Sequence, residues 1–171
     1  MVIVIEDLLN QIRSIISSEQ KKARSLGKTL HIALGETHYL TTTKLLEALF
    51  IIIANKEFNI QFVGVEDTAE TFQDYQDDQQ LLVSKHGRYH ISDNQLLIMI
   101  CHKLGINCAP IDHPETYRPS FVRRLFDGTR DKFLSEELKK YDGDKISVTG
   151  SLHLPGLMDN ETLHTVCIQQ F

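Results

Sequence analysis

Two stretches of the chain end an apolar run on a glycine and place a histidine three residues later: Leu30 to His38, LHIALGETH, and Lys145 to His153, KISVTGSLH. The first also carries Glu36, so the pair supplies two imidazoles and a carboxylate. Neutral nitrogens and anionic oxygens on a rigid frame are the donor set for a divalent ion such as zinc, manganese, cobalt or iron, among which the sequence does not choose. A bound ion lowers the pKa of its water toward neutrality and polarises a carbonyl or phosphoryl oxygen, and a neighbouring carboxylate then serves as general base. Without an ion, the same Glu and His groups can activate water directly.

Other polar residues come after apolar runs in the same way. Glu66 and Asp67 succeed Ile60 to Val65, and Asp112 and His113 succeed Ile106 to Ile111. Glu66-Asp67 reads equally as part of a site or as the cap of a following helix. Asp112-His113-Pro114 reads as turn chemistry. His86 and His90 have i, i+4 spacing, but Gly87 and Tyr89 between them disfavour a metal-binding helix. His31 and His164 begin strands and His102 sits near a helix C-terminus, where the dipole favours a cation, so none of the three needs a ligand.

Periodicity gives the elements that must position these groups. Leu8, Leu9, Ile12, Ile15 and Ile16 recur at helical spacing over about 5–26, with Gly27 as the stop. Strands are expected at 30–34, 60–65, 106–111, 145–149 and 164–169. Helices are expected from Thr41 to Thr43 up to Phe58, from a capping box Ser92-x-x-Gln95 to Leu104, and over 130–141. The polar segment 68–85 reads as a solvated helix or lid, and 113–128, with Pro114 and Pro119, as irregular or a short helix. Strands alternating with helices of this length predict an α/β fold, a single-domain three-layer sandwich over 1–171 with a mostly parallel sheet of about five strands. In such a sheet the carboxyl ends line one edge, where ligands bind. Glu36, His38, Glu66, Asp67, Asp112, His113 and His153 should gather there.

Composition removes several classes. A formal charge of -5 and a pI near 5.9 argue against a phosphate-binding surface, so no nucleic-acid partner is expected. Apolar runs such as Ala48 to Ala54 are far shorter than the ~20 residues that span a bilayer, so no membrane span is expected. Met1 to Ile5 runs at once into Glu6 and Asp7 without the pattern of a signal peptide. Cys101, Cys108 and Cys167 lie in apolar surroundings and read as reduced core thiols. Together these predict a cytoplasmic protein. The glycine signatures of dinucleotide and nucleotide-phosphate sites and the G-x-S-x-G elbow are absent, which leaves covalent catalysis a distant option.

Gly35-Glu36-Thr37-His38, Glu66, Thr129-Arg130-Asp131 and Gly150-Ser151-Leu152-His153-Leu154-Pro155-Gly156, in that order, resemble the motifs of the superfamily that joins erythromycin esterases, ChaN haem-binding proteins and the TraB/TIKI proteins. The match spans about Leu30 to Gly156, in a chain short for the group. The resemblance implies an α/β fold with these residues in one cleft. Relatives include metal-dependent proteases, macrolide ester hydrolases and haem binders. For this chain the resemblance implies a hydrolase of an amide or ester bond in a small molecule or peptide. His38 and His153 are expected as metal ligands or bases, Glu36 as general base or ligand, and Glu66 as ligand or orienting carboxylate. Arg130 is expected to stabilise an oxyanion or anchor a substrate carboxylate, and to pair with Glu36 or Glu66 in the empty site. The alternative is a catalytically silent module that binds haem, another small molecule or a protein on the same scaffold.

Overall fold

The computed structural model describes residues 2–36, 41–67, 69, 72–73, 94–112, 129–158 and 161–169. Helix α1 (Val2–Ser25) leads into strand β1 (Thr29–Glu36), followed by α2 (Thr41–Phe58), β2 (Phe62–Val65), α3 (Gln95–Leu104), β3 (Asn107–Pro110) and α4 (Thr129–Lys139). Strand β4 (Lys145–Gly150) then passes through a 3-10 turn (Ser151–His153) into a short helix, α5 (Leu154–Met158), and the last strand is β5 (Leu163–Gln169). The sheet order is β3-β2-β4-β1-β5 and every pairing is parallel, which makes the chain an α/β protein with a wholly parallel sheet.

Strand side chains alternate between the two faces, and the two apolar clusters keep that period. Leu30, Ile32 and Leu34 of β1 join Val63, Val65, Ile146 and Val148 against the apolar sides of α1, α2 and α3. Ala33, Phe62 and Ala109 point the other way, where Leu134 and Leu138 of α4 and Leu154 and Leu157 of α5 cover them. The apolar run of α2 is buried at Ala48, Ile51 and Ala54.

The second face also carries buried polar groups. His31 is 1% exposed, with Nε2 at 2.8 Å from Ser147 Oγ and Nδ1 at 3.3 Å from Thr165 Oγ1, so it ties β1 to both neighbours and needs no ligand. Burial, with the charge of Lys145 adding to it, pushes its pKa down to about 3. Lys145 itself is buried and donates to the carbonyls of Leu138, at 3.0 Å, and of Tyr141, satisfying the open C-terminal end of α4.

Element boundaries differ from the expected ones for local reasons. Ile60 lies in the turn that closes α2 rather than in β2: its N–H donates to Ala54 O, and Asn59 before it adopts φ 56°. Ile106 likewise donates to Cys101 O past Gly105, whose φ of 68° ends α3, so β3 starts one residue later. The residue at the N-cap of α3 is Asn94, not Ser92, and its side chain makes no capping hydrogen bond. Ser92, most of the 68–85 segment and all of 113–128 lie outside the described residues. Among the described residues, no helix is long and apolar enough to cross a membrane, and the three cysteines are free thiols.

Candidate functional site

The carboxyl ends of β2, β3 and β4 meet the first turn of α4. Glu66 sits one residue beyond β2, held in line because its N–H donates to Val148 O at 2.9 Å. Asp112 sits two beyond β3, where Ile111 N–H donates to Val65 O at 2.9 Å and Asp112 N–H to Asp67 O at 3.2 Å. Ladder hydrogen bonds that outlast the strands therefore fix two carboxylates at one edge.

Arg130 joins them. Its Nε donates to Asp112 Oδ1 at 2.7 Å and its Nη2 to Asp112 Oδ2 at 2.5 Å, a bidentate pair, while Nη2 also reaches Glu66 Oε1 at 2.6 Å. Burial alone would lower the pKa of the guanidinium, but the hydrogen bond to Asp112 and the charges of Glu66, Asp112 and Asp131 outweigh it and hold it above its usual value. The other oxygen of Glu66 accepts from the Gly150 N–H at 2.5 Å. Both oxygens of this carboxylate are thus engaged.

His153 enters from the turn after β4. Its Nδ1 lies 2.5 Å from Asp131 Oδ1 and its Nε2 lies 3.5 Å from Glu66 Oε1. Because a carboxylate only accepts, Nδ1 carries the hydrogen of that bond, and in the neutral ring Nε2 is then the acceptor. Two glycines allow the approach. A Cβ on Gly35 would fall 2.5 Å from Leu154 Cδ1 and 3.3 Å from Ser151 Cα, so the bare backbone of β1 is what seats the turn. A Cβ on Gly156 would overlap the Asp131 carboxylate, so this glycine lets α4 and α5 close until Asp131 meets the imidazole.

Glu66, Arg130 and His153 therefore converge, and Arg130 pairs with Glu66. Asp112, which the sequence presents as part of a turn, is a full member of the cluster. Asp131, which the sequence marks only within its Arg-Asp pair, is the partner that sets the His153 tautomer. Its place in the first turn of a helix, where a carboxylate suits the dipole, is the available signal. The register sets the backbone of Glu36 beside Gly150 at the same edge. The side chain of Glu36 and the whole of His38 and His113 lie outside the described residues.

As to an ion, the 3.5 Å between His153 Nε2 and Glu66 Oε1 is a separation that two ligands of one metal can have, but Arg130 already pairs with Glu66 and Asp112. Among the described residues no group of three His, Cys, Asp or Glu side chains is placed to hold a metal. These side chains alone do not make an ion site. A cavity of about 360 Å³ lined by Phe62, Asn107, Tyr141 and Asp144 opens at the opposite edge, where the strands begin. Asp144 there is engaged by Arg24, Gln20 and the Leu30 N–H, and the cavity holds none of the expected site residues.

Fold and site together define an α/β protein with an Arg-carboxylate-imidazole cluster at the carboxyl edge of a parallel sheet. Comparison of the chain with protein-family models, with curated proteins and with solved structures returns no match.

Proposed function

We propose that the protein is a hydrolase of amide or ester bonds, acting on a small molecule or peptide in the cytoplasm, and a short member of the superfamily its motifs resemble. The observation that carries this reading is the Asp131–His153 pair, with Nδ1 fixed at 2.5 Å and Nε2 directed to the Glu66 side of the cleft. An imidazole oriented by a carboxylate is a general base whose accepting nitrogen is fixed in place. Nε2 takes a proton from water as the water oxygen bonds to the substrate carbonyl carbon. Collapse of the tetrahedral oxyanion breaks the C–N or C–O bond, and Nε2 returns the proton to the leaving nitrogen or oxygen. Arg130 commits Nε and Nη2 to carboxylates, which leaves Nη1 as the donor for the oxyanion. Glu36 and His38 are the further groups proposed to activate the water in this reading.

A panel of chromogenic esters and peptide amides tests it. His153→Ala and Asp131→Asn should each lower kcat by about 10²- to 10⁴-fold while the melting midpoint stays close to that of the wild type. Undiminished hydrolysis by His153→Ala would sink the assignment.

The spacing of His153 Nε2 and Glu66 Oε1 also favours a second reading, in which Glu36, His38, Glu66 and His153 hold a divalent ion that supplies Lewis acidity. An ion that binds only the folded state stabilises it by about 2.7 kcal/mol at 100 times its Kd. Zinc, manganese or cobalt should then raise the melting midpoint by roughly 5–10 °C, and His153→Ala should abolish most of that rise. A wild-type midpoint indifferent to all three ions retires the metal and leaves the imidazole mechanism standing.

A further inference from the structure

Asn94 occupies the N-cap of α3, where an asparagine side chain ordinarily accepts a hydrogen bond from the helix's first turn. Here it makes no such bond. Its Nδ2 donates instead to the Glu66 carbonyl at 3.2 Å and to Asp67 Oδ2 at 3.4 Å, and its Oδ1 accepts from Lys44 Nζ at 3.4 Å. Lys44 lies in the first turn of α2 and pairs with Glu47 Oε2 at 3.1 Å, both side chains being buried, at 7% and 0% exposure. A buried ion pair recovers its desolvation cost only with good geometry, and a forgone cap is a further cost, so neither is explained by stability alone. Both converge on the residue whose carboxylate touches Arg130, the Gly150 N–H and the neighbourhood of His153.

We propose that Asn94 is a positioning residue of the site. Its amide links the buried Lys44–Glu47 pair of α2 to the backbone of Glu66 and so sets where the Glu66 carboxylate stands. The chain of contacts joins the helix that comes after the Gly35-Glu36-Thr37-His38 motif to the strand end that carries Glu66.

Asn94→Asp separates this role from a structural one. Aspartate is as good an N-cap and pairs with Lys44 more strongly, so a purely structural Asn94 predicts a melting midpoint equal to or above the wild type and an undisturbed site. A positioning Asn94 predicts a folded protein with a lower midpoint and a displaced Glu66, because the new carboxylate cannot donate to the Glu66 carbonyl and repels Asp67. The first readout needs no substrate: the Gly150 amide proton, held by Glu66 Oε2, should exchange with solvent at least about tenfold faster while the Val148 amide keeps its protection. Unchanged Gly150 exchange in a folded Asn94→Asp protein overturns the proposal. The second readout rests on the hydrolase reading: kcat should fall about tenfold or more with KM within about twofold, and Asn94→Gln should recover part of it. Faster Gly150 exchange in the variant of a chain that hydrolyses nothing on the panel would leave Asn94 as a positioning residue and remove the hydrolase instead. Undiminished kcat alongside faster exchange would deny the residue any part in catalysis and overturn that half of the proposal.

Discussion

Acidification from pH 6.5 toward pH 3 is expected to cost the folded protein about 5 kcal/mol through His31 alone. The imidazole is fully buried between Ser147 and Thr165, and its pKa falls from an ordinary 6.5 to about 3. Between those values the unfolded chain binds a proton that the folded chain refuses, so stability rises with pH through this window. It is complete above 6.5 and lost as pH falls, at about 1.4 kcal/mol per pH unit. Against the 5–15 kcal/mol typical of a native domain, the full loss, reached only near pH 3, matches the whole stability of a domain at the low end of that range. Carboxylates add to acid unfolding only lower down: Glu19, held below its usual value of 4.5 first by Lys22 and then by His164, gives up its contribution as pH falls through its lowered value. Over the interval from 6.5 to 4.5 the comparison with His31→Gln separates the share of this histidine from that of the other seven. Melting midpoints measured across it should fall steadily, and the His31 ring in NMR spectra should stay neutral for as long as the protein stays folded. His31→Gln, which keeps polar atoms facing Ser147, should flatten the slope. A ring that titrates near 6.5 in the folded protein contradicts the burial account.

The parts of the site that can be read from the sequence are those where one residue's type and its place at a strand end are enough. Glu66 and His153 stand out because apolar runs stop abruptly before them, and the parallel sheet then does the rest by bringing every carboxyl end to one edge. Asp112 does not stand out. Asp-His-Pro is equally the chemistry of a turn, and only the ladder bond from Ile111 N–H to Val65 O shows which use it has here. Asp131 depends on more still: it reaches His153 because Gly156 lets α5 pack against α4, a contact that spacing along the chain does not encode. Asn94 is hidden by the better-looking capping pattern two residues earlier. Ser92-x-x-Gln95 satisfies the local rule, whereas Asn94 commits its amide to tertiary partners. The strand limits show the same division. Ile60 reads as the start of a strand, but the left-handed Asn59 and the bond from Ile60 N–H to Ala54 O place it in the turn that closes a helix.

Removing the Arg130 guanidinium should be the most damaging single change to the cluster's stability. Arg130→Met leaves Glu66, 5% exposed, and Asp112, 14% exposed, as neighbouring carboxylates with their shared cation gone. Breaking a buried pair in this way costs about 3–5 kcal/mol, and the 29% exposure of the Arg130 side chain reduces the figure to about 2–3 kcal/mol. For a domain of this length the melting midpoint should drop by roughly 5–10 °C. Arg130→Lys should recover little, because an ammonium cannot reproduce the two parallel bonds to Asp112 while also reaching Glu66. If the loss comes from uncompensated charge rather than lost packing, Glu66→Gln and Asp112→Asn in the Arg130→Met background should restore most of the midpoint, since neutral amides tolerate the site without a cation. Under the proposed hydrolase reading, that restored protein should still lack activity: it has regained its fold without the proposed oxyanion donor or the carboxylate of Glu66. A triple variant that is both stable and fully active would show that Arg130 serves the fold alone, and the proposed chemistry would then have to rest on Asp131 and His153 without it.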